Sequence, residues 1–355
     1  MIHSDKHRLR LLVALSLAGT LLTMLVILVG AWTRLVDAGL GCPDWPGCYG
    51  RLLVPDSEHA ALRHPDVPLD PFKAWVEMGH RYVASFLGLL VIGTLLLGWP
   101  LRRREGYPWK VSVALLIVIL IQGAFGAFTV TLKLWPQVVT AHLLGGFATL
   151  SLLTLLTLRL SGRFAPLQLP GRLRTLAAAC LLLVIGQITL GGWVSSNYAA
   201  VACVDLPTCH GEWWPAMDFG KGFHLTQHIG PNYLGGQLDS DARTAIHMSH
   251  RIGALLVTLA LLVLAWRLHV AGLSRLAGLL LLALAVQVGL GISNVIFHLP
   301  LLVAVAHNAG GAALLLSMVL INYRLRTAGE RRHAVHTLTD AHAALASNGL
   351  LQAGK

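Results

Sequence analysis

Charged side chains are scarce in this sequence, at 12% of 355 residues, where an ordinary soluble domain carries about a quarter. So little charge excludes a surface wholly solvated by water. The long uncharged apolar runs in its place are what a bilayer demands. Basic residues are in excess, giving a net charge of +11, yet no domain gathers them. They sit in short clusters between apolar runs, a pattern of topology signals, which argues against a nucleic-acid face. A convincing small-residue cleavage site is missing after the first apolar run, so that run reads as a permanent helix and not a signal peptide. Cysteine is sparse, five in all. His80, His142, His250 and His307 lack the local spacing of a structural zinc site, with His247 beside His250 as their one close pair.

What the sequence does contain is eight apolar runs of about twenty residues, each enough to cross a hydrocarbon core. They fall at 11–32, 78–99, 110–130, 138–159, 174–194, 245–266, 275–296 and 302–322, and predict an all-α, multi-pass membrane protein. Lys and Arg concentrate in the short connections, as in Arg102, Arg103, Arg104 and Lys110, and again in Arg159, Arg163, Arg172 and Arg174. The longer loops are poor in both for their length. By the positive-inside rule both termini are cytoplasmic and the long loops face outward, in a bacterial inner membrane.

The chain also repeats itself. Trp32, Cys42 and Cys48 recur as Trp193, Cys203 and Cys209, all offset by 161; Glu77-Met-Gly-His80-Arg81 recurs as His247-Met-Ser-His250-Arg251, offset by 170; Gln122 and His142 recur as Gln287 and His307, offset by 165. Shared apolar composition does not reproduce a Trp, a Cys pair, a His-Arg and a second His in one order. Two tandem pseudo-symmetric four-helix bundles follow, related by an axis along the membrane normal. Residues 1–160 form the first half, 161–326 the second, and 327–355 a polar cytoplasmic tail, whose His333, His336 and His342 read as solvated.

His80, His142, His250 and His307 each fall within the first turns of a span running inward, so they share a depth near the outer face. One histidine at a helix end is ordinarily interfacial. Four in two repeat-related pairs point to ligation of a metal or haem. Two histidines on facing helices suit axial haem ligands, with Gly79, Gly123, Gly126, Gly145 and Gly146 in the first half and Gly291, Gly310 and Gly311 in the second leaving room for a flat macrocycle. Arg81 and Arg251 suit either haem propionates or lipid headgroups. Glu77 has no acidic counterpart, since His247 stands in its place. One turn before His80 it shares that residue's helix face, where a carboxylate can accept protons or stabilise positive charge. The first half is therefore the expected reactive site, and the second an electron-carrying or structural one. Cys42/Cys48 and Cys203/Cys209 lie in outward loops, where an oxidising compartment favours a disulfide in each pair, as a structural staple or as a redox-active bridge. Cys180 reads as a small buried apolar residue.

Gly-Ala-Trp-Thr-Arg-Leu, then Cys-Pro-Asp-Trp-Pro-Gly-Cys, then Glu-Met-Gly-His-Arg, together resemble the haem A synthase family over about residues 10 to 322. The resemblance implies an oxidoreductase of the cytochrome oxidase assembly pathway, converting the C8 methyl of haem O to the formyl of haem A by successive hydroxylation and loss of water. It implies haem b on the iron ligands His250 and His307, haem O as substrate near His80 and His142, Glu77 as the essential acid, and Cys42 and Cys48 in electron or haem handling. The partners expected are haem O, a haem O synthase that hands it over, an electron acceptor the sequence does not name, membrane lipid and, in a homo-oligomer, further copies of the chain. Two rivals use fewer of these residues. A b-type electron-transfer cytochrome needs the histidines without Glu77, and a membrane thiol-disulfide oxidoreductase needs the cysteines without all four histidines.

Overall fold

A computed structural model describes residues 2–162 and 171–325. Arg163 and the tail carrying His333, His336 and His342 lie outside the described residues. Those described are helical, with no strand among them beyond the isolated bridges Cys48–Arg51 and Cys209–Glu212. The helices are α1 (Ile2–Leu35), α2 (Ser57–Arg63), α3 (Pro71–Gly98), α4 (Trp109–Thr131), α5 (Pro136–Ser161), α6 (Gly171–Ser196), α7 (Phe219–Gly222), α8 (Ser240–Val270), α9 (Ser274–Ile296) and α10 (Leu301–Leu325). Eight of them, all but α2 and α7, are long and apolar enough to cross a membrane.

The helix starts correct one expectation. The apolar runs place the second span at 78 and the sixth at 245, but α3 begins at Pro71 and α8 at Ser240. Local chemistry explains both. Asp70 accepts from the Lys73 N–H at 3.2 Å with Pro71 following it, and Asp239 accepts from the Ala242 N–H at 3.0 Å. Each aspartate meets a backbone donor that the first helical turn leaves unpaired, and proline tolerates that position because its own N–H is missing. His80 and His250 therefore lie well into their helices, more than two turns from the start, rather than in the first turns.

Helix α1 packs on α3 and α5, and α4 packs on both of these, which closes a four-helix group. Its core is built from Leu12, Leu87, Val91, Leu115, Leu153 and Leu156. Helices α6, α8, α9 and α10 share a second core around Cys180, Leu261, Leu264, Leu280, Leu315 and Met318, into which Phe147 and Leu150 of α5 also pack. Within the helices hydroxyls turn back onto carbonyls one turn earlier, as Thr23 does on Gly19 and Thr149 on Gly145. That pairs these donors in a medium where a free one costs several kcal/mol. Leu21, Leu89, Leu182 and Leu282 stand two-thirds exposed on the outer surfaces of the spans, the placement of lipid-facing side chains.

At the end where the histidines lie, the two groups are bound together by polar contacts. The Arg34 guanidinium donates to the Ser195 carbonyl at 2.6 Å and lies 3.9 Å over the Tyr198 ring, while the Tyr198 hydroxyl donates to Asp37 at 2.8 Å. The loop between α7 and α8 reaches across to the α4–α5 turn. There the Trp135 indole N–H donates to the Gln227 carbonyl and the Tyr233 N–H to the Lys133 carbonyl.

Candidate functional site

Each cysteine pair closes a disulfide, Cys42–Cys48 and Cys203–Cys209, with Cα atoms 4.9 Å apart in both. An aspartate organises each loop from within. Asp44 accepts from the Tyr49 and Gly50 amides at 2.6 Å each, and Asp205 from the Thr208 hydroxyl at 2.6 Å and the His210 and Gly211 amides at 2.8 and 3.0 Å. Those donors, the Thr208 hydroxyl foremost, hold the Asp205 carboxyl down at about 2. Both aspartates follow a cysteine by two residues, a signal present in the sequence whose role the motif reading missed. Gly41 and Gly47 admit no side chain, because a Cβ would stand 2.5 Å from the Lys73 carbonyl carbon and from the Arg51 carbonyl oxygen, respectively.

Glu77 is 4% exposed. Its Oε2 accepts from the Cys42 N–H at 2.8 Å, and its Oε1 meets Arg81 Nη2 at 2.5 Å, an i, i+4 pair on α3. Arg81 Nη1 donates to the carbonyls of Asp44, Pro46 and Gly47. The acid thus sits at the seam between helix and disulfide loop, with both oxygens engaged. In the second half Arg251 repeats the loop contacts, donating to the Thr208 and Cys203 carbonyls at 2.9 and 3.1 Å. His247, in the place of Glu77, is buried with Nδ1 2.9 Å from the Ala199 carbonyl.

His80 and His142 lie near one another, as do His250 and His307. The Nδ1 atoms of His80, His142 and His307 are buried without a partner, in a class of atom that is nearly always paired. Each of the four rings lies against a glycine. A Cβ at Gly30 would stand 2.9 Å from Cε1 of His80, at Gly126 3.5 Å from that of His142, and at Gly191 and Gly291 3.2 Å from those of His250 and His307. Gly126 and Gly291 were expected. Gly30 and Gly191 were not, although their offset of 161 matches that of the cysteines. Gly79 and Gly123 look onto open space, while Gly145 and Gly310 seat the amides of Gln122 and Gln287. Gln122 donates to the His142 carbonyl at 2.8 Å.

Among the described residues, no group of three or more His, Cys, Asp or Glu side chains gathers around a point. Closed structural zinc wants such a group. Imidazoles in pairs, with a glycine beside each ring, could instead hold a haem iron. Cys180 is buried and unbridged, as expected.

A family model described as cytochrome oxidase assembly protein matches residues 13–319. A heme A synthase of Shewanella oneidensis is 50% identical over 310 residues, covering 85% of this chain and 93% of that protein. A heme A synthase of Symbiobacterium thermophilum is 31% identical over 61% of this chain and 70% of its own length, and one of Rhizorhabdus wittichii 27% identical over 86% and 91%.

Proposed function

The chain belongs to the family of cytochrome oxidase assembly proteins, and on that premise we propose that it is a haem A synthase, oxidising the C8 methyl of haem O to a formyl group. The observation that carries this reading is one asymmetry: two histidine pairs, with a buried acid on the helix of only the first. Residues 1–160 then form the half that takes haem O between His80 and His142, and residues 161–326 the half that holds haem b on His250 and His307, with both termini cytoplasmic and the disulfide loops outside.

When bound, the b-type haem supplies a one-electron relay toward an acceptor. The protein's own groups do the rest. Oxidising a methyl to a formyl with oxygen from water releases protons along with the electrons, and Glu77 is the acid-base group that accepts them. The Cys42 amide orients its Oε2, and Arg81 keeps a positive charge beside its Oε1. Arg81 and Arg251 hold the disulfide loops against α3 and α8. The Nε of Arg251, which has no protein partner, is the donor available to a propionate. The two disulfides act as staples for these loops.

Co-expression with a haem O synthase in a host that makes no haem A, followed by extraction and chromatography of the haems, tests the proposal. Haem A is expected with the intact chain, and Glu77→Ala is expected to cut its yield by about a hundredfold or more, the scale of a lost acid-base group. Bound haem B with haem O left unconverted, in air and with a competent electron acceptor, would instead identify a b-type electron-transfer cytochrome.

A further inference from the structure

A substrate haem must enter and leave, whereas a resident haem must stay, and the two histidine pairs are not held alike. On α6, Gln187 lies one turn before Gly191, on the face that meets His250. Its Nε2 is 3.0 Å from His250 Nδ1 and 3.5 Å from His250 Nε2, and it donates to the His250 carbonyl at 2.9 Å. The amide reaches this place because α8 carries no side chain at Gly253, where a Cβ would stand 2.3 Å from Gln187 Oε1. At the matching positions of the first half, offset by 161 and 170, stand Val26 and Val83. The glutamine and the glycine that seats it are therefore lost together, and His80 Nδ1 is left buried with no partner.

A second observation points to iron. The Oε1 of Gln187 is itself buried and has no donor. An imidazole that ligates through Nε2 carries its proton on Nδ1, so ligation creates the donor this amide lacks, and a turn about its last bond presents Oε1 to it in exchange for the Nε2 donation to the His250 carbonyl. Such a partner fixes ring orientation and raises ligand basicity, and its loss typically weakens a metal site by about 10–100-fold.

We propose that Gln187, seated against Gly253, is the positioning residue that makes the second-half haem resident, and that Val26 and Val83 leave His80 an exchangeable ligand. The proposal rests on the assignment of His250 and His307 as haem ligands. It predicts that a haem stays or exchanges according to the pair at these positions, whatever the chemistry performed.

The test uses the full chain purified in detergent with its haem b. Haem transfer to excess apomyoglobin is followed by absorbance, and the midpoint potential is measured alongside. Gln187→Val is expected to speed haem loss about tenfold or more and to raise the potential, because a less basic imidazole favours the ferric state less. Gln187→Glu keeps an acceptor at Nδ1 and is expected to retain the haem. The converse Val26→Gln with Val83→Gly is expected to slow haem release from the first half. Unchanged loss rate and potential in Gln187→Val would overturn the proposal. If His250→Ala and His307→Ala leave haem content and spectrum intact, the ligand assignment beneath it fails instead.

Discussion

Gly30 and Gly191 do their work by having nothing to offer. Each sits on a span whose apolar pattern would accept Val or Leu, yet a Cβ there would stand 2.9 Å from the His80 ring or 3.2 Å from the His250 ring. Contacts that close force a neighbour to move, and here the neighbour is a histidine proposed to hold haem. Gly191→Val is therefore expected to lower the haem b bound per chain, read by pyridine haemochrome, with little change in the helical circular dichroism. Gly30→Val should leave that haem in place and reduce haem A formation. Arg81 makes a different residue-scale case. Removing it leaves the Glu77 carboxylate buried without its cation, and breaking such a pair costs about 3–5 kcal/mol. Arg81→Ala should thus be less stable than the double change with Glu77→Gln, a comparison made by thermal unfolding in detergent. Both residues were visible in the motif, but their mutual contact was not.

Among the elements, the disulfide loops do the most with the fewest residues. Each bridge spans six positions, and cross-linking so short a loop restricts the unfolded chain by roughly 2 kcal/mol on the loop-entropy account. In the first half the loop also presents the Cys42 amide to Glu77. Replacing Cys42 and Cys48 together by Ser is expected to lower haem A yield while the second-half haem spectrum persists. Loss of that spectrum as well would show that the loops serve the whole outer end and not one site. In the second loop Asp205, held at about 2, binds the His210 and Gly211 amides as a carboxylate. A depressed carboxyl stabilises above its unfolded pKa and loses that effect as pH falls through the folded one. The protection of those two amides, measured by hydrogen exchange, should hold at about pH 5 and fade toward about pH 2.

For the whole molecule the question is orientation. The excess of Lys and Arg in the short connections predicts that the disulfide loops face outward, as the sealing of two thiol pairs in an oxidising compartment requires. A cysteine placed at exposed Leu52 should be labelled by a membrane-impermeant maleimide in right-side-out vesicles, and one placed at Arg103 only after permeabilisation. The reverse result would invert the topology. The strap from Gln227 to Tyr233 ties the loop before α8 to the α4–α5 turn, so this end of the molecule is a joint construction of both helix groups.

The sequence by itself determined the eight spans, the pairing of four histidines and the isolation of Glu77 in one half. Each rests on a property that repeats along the chain: an apolar run long enough for a bilayer, or a chemical residue returning at a constant offset. It placed the starts of α3 and α8 too late, because hydropathy ends where the bilayer ends, whereas Asp70 and Asp239 carry the helix on into a polar region. Only the tertiary structure decided what each polar group meets. It placed both oxygens of Glu77 against a loop and an arginine, set Gly30 and Gly191 beside the rings, and seated Gln187 where Gly253 leaves room. Those pairings join positions on different helices, and an offset along the chain does not say which faces the folded helices turn to one another.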